Sequence, residues 1–436
     1  MKKPLFFLKE LLATFWFLPV IIIAFSIFLS IGLVYMDSIV TISHEGWLRF
    51  FLVNSSDSAR SILSTISGAM IGVAGTVFSV TLVALTLASS QFGPRLIKNF
   101  MYVKLNQVVL GSYISTYLYC LLVLNAIRDS NDYSFIPSIS ILAAILAAMA
   151  NIILLIVFIH QIAISIQADK VISDISDFIS EQVETLFPEK MGEEKEGELN
   201  IDIVSVISAY KTHTSIKSLK NGYLQYVDNK ALMKCITNHN ALLELHQRPG
   251  SFLVKGMEMG RIHTTNKLEE ESLKSVLDQF VIGNIKTAEQ DLEFSIHQMV
   301  EIAARALSPG VNDPFTAIVC IDNLTAILCY LAQAKFPSRH RFDEAGTLRV
   351  ISDTLEFEGV LDAAFNQIRQ FSSGSTAVII RLMEAMITII GFTNEENHKN
   401  AVIKHAEMVL AKGESDIIEK NDLEDLKRRA DKILGK

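Results

Sequence analysis

Four side chains recur at intervals of four in the second half of the chain: Glu293, His297, Glu301 and Arg305. On a helix such a spacing stacks them along one face, and an imidazole beside a carboxylate one turn away is a geometry that can share a metal ion. The tight connection that follows, Ser-Pro-Gly-Val-Asn-Asp-Pro at 308–314, brings Asn312 and Asp313 as further oxygen ligands. A metal-dependent hydrolase using His297, Glu301 and Asp313 is therefore one chemistry to weigh. Against it, a Glu-His-Glu-Arg ladder is also what a polar helix face looks like, and there is no HxxxH or HExxH pair. No metal site and no cofactor are expected on this count.

The loop itself has a structural explanation. Asn312 or Asp313 suits the N-cap of the next helix, Pro314 its first position, and Gly310 can take a positive φ. A compact helix-to-helix reversal is expected, with Asp313 beside the His297/Glu301 face as a possible ligand or contact. The rest of the chain offers no nucleotide fingerprint: no GxxxxGK[ST], and no GxGxxG after a strand. Cys120, Cys235, Cys320 and Cys329 form no CxxC pair and read as reduced thiols.

Composition says more about location than chemistry. Of 436 residues, 50% are hydrophobic and 20% charged, a balance that points to membrane spans. Residues up to 165 hold nine Lys/Arg and six Asp/Glu, and the remainder 30 and 41. An apolar, slightly basic half is joined to an acidic half, which lacks the basic footprint of a nucleic-acid binder.

The expected fold is mainly α: a four-span helical membrane domain, an extended stalk helix, a small α/β module and a helical C-terminal domain. Spans are read at about 11–34, 62–90, 107–127 and 138–165 within a transmembrane domain of residues 1–165, each near the ~20 residues a bilayer core requires. Residues 166–187 continue the fourth span as a stalk, 188–200 form a charged linker, 201–265 the mixed module, and 266–436 the helical domain. Lys2, Lys3, Lys9, Arg95, Lys98, Lys104 and Lys170 flank the spans on one side, so the positive-inside rule puts both termini in the cytoplasm. The apolar start lacks a cleavage signal and reads as a retained anchor in the inner membrane.

The second span is unusual in its small and hydroxylated residues. Gly68 and Gly72 make a GxxxG pair that Gly75 and Ser79 extend, letting another helix backbone come close. Packing explains that row; a pore lining explains it too, with Ser64, Thr65, Ser79 and Thr86 offering hydroxyls to water or ions. Arg95 at its end sits at the membrane interface, within reach of a lipid phosphate, an anion or an acidic residue. His160 near the end of the fourth span reads as interfacial rather than as a proton relay, having no acidic neighbour within a turn. Two polar intrusions interrupt later apolar helices, Asp322-Asn323 and Arg381 with Glu384, the second spaced for an intrahelical ion pair.

The stretches GTVFSVTLVALTLASSQFGPRLIKNF, GYLQYVD, RPGSFLV and ARALSPGVNDPFTAI, in this order, resemble the bacterial membrane-protein family known as domain of unknown function 2254. The likeness covers nearly the whole chain. It implies an integral membrane protein with a few N-terminal spans and a cytoplasmic C-terminal region, and carries over no catalytic or ligand residue. The functional expectation is an oligomeric channel or transport-type pore, with the bilayer and further copies of the chain as partners and the cytoplasmic domain assembling or gating it. A membrane-anchored scaffold that binds an unidentified cytoplasmic protein is the alternative.

Overall fold

In a computed structural model, the described residues are 14–40, 55–93, 104–130, 133–186, 202–266 and 268–435. Arg95, the basic residues before the first helix and the 188–200 linker lie outside them. The chain divides after Lys170 into an N-terminal and a C-terminal unit.

The N-terminal unit holds four long apolar helices, α1 (Phe17–Ile39), α2 (Ser56–Phe92), α3 (Lys104–Ala126) and α4 (Ser138–Ser165), with a short hairpin, β1 (Arg128–Ser130) and β2 (Tyr133–Phe135), before the last. The centre is α3, which packs against α1, α2 and α4. Its approach to α1 is close enough that a Cβ at Gly111 would lie 2.9 Å from the Cα of Pro19, so glycine is required there by contact rather than by backbone angle. Thirty-seven residues make α2 about 55 Å long at 1.5 Å per residue, well beyond the ~30 Å hydrocarbon core. Ser55 starts it by accepting a hydrogen bond from the Ser58 amide.

The fourth helix does not run on as an uninterrupted stalk. Its last helical residue is Ser165, Ile166 and Gln167 break the ladder, and a new helix, α5 (Ala168–Leu186), begins the C-terminal unit. The expected apolar stripe is present on α5: Val171, Ile172, Ile175, Ile179 and Val183 are buried. Gln182 is also buried; it accepts a 2.7 Å hydrogen bond from Ser295 and donates to the carbonyl of Ala288, tying α5 to the chain's own C-terminal unit.

That unit combines two sheets with a helical bundle. After α6 (Ile203–Ser208) come β3 (Thr212–Lys217), β4 (Gly222–Val227), α7 (Asn229–Asn238), β5 (Leu242–Leu245), β6 (Phe252–Leu253), β7 (Glu258–Thr264), α8 (Glu270–Leu277) and β8 (Phe280–Gly283). Next are α9 (Leu292–Ala306), α10 (Pro314–Gln333), β9 (His340–Phe342), β10 (Leu348–Ser352) and four helices, α11 (Phe357–Phe371), α12 (Thr376–Ile390), α13 (Glu396–Asp416) and α14 (Lys420–Leu434). One sheet has the order β3-β7-β5-β10-β9, the other β6-β4-β8; β5 and β10 are the one parallel pair among the described strands. Ile216, Leu243, Ile262 and Val350 fill the core with Leu232 and Ile236 of α7.

The strands β8, β9 and β10 depart from the helical pattern expected after residue 266. Each has five residues or fewer, too short to carry a periodicity of its own, and β10 joins the sheet from more than 100 residues downstream of its partner β5. Gly413 likewise ends nothing: it lies within α13, where it makes room for Leu426 of α14.

Candidate functional site

Three places concentrate the polar and small residues that could act: the outer face of α2, a polar seam inside the N-terminal unit, and the loop between α9 and α10.

On α2 the two faces differ. Ala59, Leu63, Ser67, Met70, Ala74, Val77, Thr81, Ala84 and Ala88 are buried, whereas Ser64, Thr65, Gly68, Gly72, Gly75, Ser79 and Thr86 are all exposed on the isolated chain. A Cβ added to Gly68, Gly72 or Gly75 meets no described atom within 4 Å. Among the described residues the small row is thus not used for packing. Three of its hydroxyls are satisfied internally: Thr65 donates to the carbonyl of Ser61 at 2.7 Å, Ser79 to Gly75 at 2.9 Å and Thr86 to Leu82 at 2.9 Å. Spent as donors, they turn oxygen lone pairs outward and remain compatible with an apolar surround.

The polar seam is invisible in the sequence pattern. Asn151, fully buried halfway along α4, accepts from the Ser112 hydroxyl at 2.6 Å and donates to Thr116 Oγ1 at 2.9 Å and Met70 Sδ at 3.5 Å. Its backbone carbonyl accepts from Tyr113 at 2.6 Å. One asparagine therefore links α2, α3 and α4. Toward one end, Asp37 of α1 accepts from the amides of Ile139 and Ser140, both at 2.9 Å, and from the Ser140 hydroxyl at 2.6 Å. The first turn of α4 has no side-chain cap of its own, so Asp37 supplies one from another helix, placing negative charge at the positive end of the helix dipole. His160 lies exposed near the far end of α4, with no ion pair among the described residues.

In the C-terminal unit the four-residue ladder is engaged. Glu293 pairs with Arg248 at 2.8 Å and Glu301 with Arg305 at 3.5 Å. Arg248 opens the Arg-Pro-Gly turn, and Gly250, at φ +95°, sits against the carboxylate of Asp291, a contact a Cβ would block. Asp291 caps α9 by accepting from the Phe294 amide at 2.9 Å, and burial pushes its carboxyl above the usual range. The RPGSF stretch is thereby explained as a brace between the sheets and α9.

Asn312, and not Gly310, occupies the left-handed region, at φ +50°. Asp313 caps α10, accepting from the Thr316 amide at 3.1 Å and hydroxyl at 2.5 Å, and its own amide donates to Ala306 at 2.7 Å. The Thr316 hydroxyl holds the Asp313 carboxyl below its ordinary range. Among the described residues no three His, Cys, Asp or Glu side chains are placed to share a metal ion, so His297, Glu301 and Asp313 do not converge as such a site. The loop does present Val311 and Phe315 to the outside.

The two polar intrusions meet each other. Arg381 donates to Asp322 at 2.5 Å and to Glu384 at 2.7 Å, and Arg429 of α14 closes on Glu384 and Asp425. The carboxylates raise the Arg381 guanidinium above its ordinary range.

Five described helices are long and apolar enough to cross a membrane, α1 to α4 and α10. With the polar seam satisfied inside and large apolar side chains such as Phe28, Ile153 and Ile156 outside, the molecule is a multi-helix membrane protein carrying a large mixed C-terminal unit. The chain belongs to the family of predicted membrane proteins designated DUF2254, whose model matches residues 13–388. It is similar to uncharacterized proteins of Mycobacterium bovis and Mycobacterium tuberculosis, each 29% identical over 375 residues, covering 84% of this chain and 70% of theirs. No solved structure matches it.

Proposed function

We propose that the protein is a homo-oligomeric channel of the cytoplasmic membrane, in which copies of α2 meet through their outward small-residue face around a hydroxyl-lined path. In this reading α1 to α4 are the four spans, both termini are cytoplasmic, and the C-terminal unit assembles or gates the pore. The carrying observation is the open row Ser64, Gly68, Gly72, Gly75 and Ser79: its small side chains leave room for a second backbone, and no described helix of the chain fills that room. Outward oxygen lone pairs favour a hydrated cation over an anion, since the hydroxyl protons of Thr65, Ser79 and Thr86 are committed to the helix.

Reconstituted full-length protein should conduct in planar bilayers, with a reversal potential displaced toward the cation in a salt gradient. Gly72→Leu should abolish conductance and cross-linking between copies together. A cross-linked wild-type oligomer without conductance in any gradient would instead favour the anchored-scaffold reading, for which exposed Val311 and Phe315 are the support.

A further inference from the structure

The C-terminal unit carries a second feature that fits a bilayer, independent of the pore reading. The β3–β4 turn and the β6–β7 turn are laced together: Ser218 donates to the carbonyl of Met257 at 2.9 Å, Gly256 to that of Ser218 at 2.8 Å, and the Lys255 amide to Asn221 Oδ1 at 2.8 Å. The joined tip holds large apolar side chains in water, Leu219 at 69%, Phe252 at 54% and Val254 at 52% exposure. Phe252 is steadied by an edge contact with Tyr223, the ring centroids 5.0 Å apart. Lys217, Lys220 and Lys255 lie on the same two segments, all exposed, and none is ion-paired among the described residues.

The nearest carboxylate on the neighbouring strand does not neutralise them. Glu258 is held by Ser215 at 2.6 Å and Arg261 at 2.7 Å. A cluster of unneutralised lysines is unexpected here, because residues 166–436 hold 41 acidic against 30 basic side chains. Apolar tips that share their segments with lysines match the two layers of an anionic bilayer surface, hydrocarbon beneath phosphate. An acidic partner protein would satisfy the lysines but leaves three protruding, unconnected apolar side chains without a groove. A chain already inserted in the membrane also keeps such a surface at high local concentration.

We propose that these paired turns dock on the anionic lipid headgroups of the membrane, with Leu219, Phe252 and Val254 entering the interface and Lys217, Lys220 and Lys255 binding phosphates. Docking holds the sheet edge at the bilayer and restricts the motion of the whole C-terminal unit.

The test is hydrogen–deuterium exchange of full-length protein, one copy per lipid nanodisc, in phosphatidylcholine alone and with phosphatidylglycerol added. Peptides covering 217–223 and 252–257 should exchange more slowly in the anionic discs, and the difference should vanish at high salt. Each lysine near an anionic surface is worth about fivefold in the docked-to-free ratio, so Lys217→Gln/Lys220→Gln/Lys255→Gln should lower it roughly a hundredfold. Unchanged exchange in β5 shows that this surface variant is folded. Equal exchange of the turns in both lipids overturns the proposal. Protection that depends on a second copy in the disc, whatever the lipid charge, overturns it in favour of a protein contact.

Discussion

Asn151→Leu tests whether the polar seam binds the N-terminal helices together. The substitution keeps the branch and approximate bulk of the side chain and leaves the backbone carbonyl that receives the Tyr113 hydroxyl. What it removes is the amide, with its bonds to Ser112 and Thr116. Interhelical hydrogen bonds in membranes average about 0.6 kcal/mol and reach about 1.7, which puts the loss near 1–2 kcal/mol. The lower half of that range applies if both hydroxyls turn back onto carbonyls of α3, as those of α2 do. Removing the hydroxyls as well, in Ser112→Ala/Thr116→Val/Asn151→Leu, leaves no orphaned partner, so the triple variant should lose less than the single losses summed. The assay is unfolding of purified protein in mixed micelles titrated with SDS, followed by circular dichroism. A single variant as stable as wild type, or a triple variant whose loss is simply additive, would refute the seam as a cooperative tie.

Two predictions concern the C-terminal unit. Arg381→Met should cost about 1–2 kcal/mol in chemical unfolding, because it strips Asp322 and Glu384 of a cation at sites 39% and 31% exposed, where each pair is worth at most about 1 kcal/mol. The loss should shrink at high salt, and Arg381→Lys should fall between, keeping the charge without the fork. Asp313→Ala removes a cap worth about 1 kcal/mol. Because the Asp313 carboxyl lies below its ordinary range in the fold, its ionic contribution is fully present above the unfolded value of about 3.9 and is lost as pH falls through the folded value. The stability gap between wild type and Asp313→Ala should therefore hold from pH 7 to 5 and narrow in stronger acid, and a gap that widens on acidification contradicts the assignment.

Long apolar helices were legible because twenty or more residues of one character outweigh local detail, and the α10 cap was legible because Asn-Asp-Pro after Gly is a local chemistry. The Asn151 seam was not. A lone asparagine in an apolar run gives no hint of its partners, which come from 35 and 39 residues earlier in the sequence. Asp37 was missed for the same reason: it caps a helix over 100 residues downstream. The α4–α5 break was hidden because Ile164 and Ala168 keep a four-residue spacing across it, so hydropathy continues where the hydrogen-bond ladder does not. The two charged intrusions were each visible, yet Arg381 and Asp322 are 59 residues apart and only the packing of α10 against α12 joins them.

Hydropathy alone does not separate α10 from α2, both being long and apolar enough to cross a membrane; what surrounds them does. The exposed large apolar side chains of α10 are Phe315 and Tyr330, near its two ends, and between them Cys320, Ile321, Leu324 and Leu328 are covered in a unit where α9, α11 and α12 pack on the helix. Its central charge, Asp322, is matched by Arg381 of a neighbouring helix. Burial in its own bundle accounts for the apolar composition of α10 without a bilayer. On α2 and α4 the apolar side chains Ile71, Phe78, Val83, Met149, Ile153 and Ile156 stay exposed among the described residues, as suits a hydrocarbon surround. That contrast separates α10, apolar because it is covered by protein, from helices whose apolar side chains face outward.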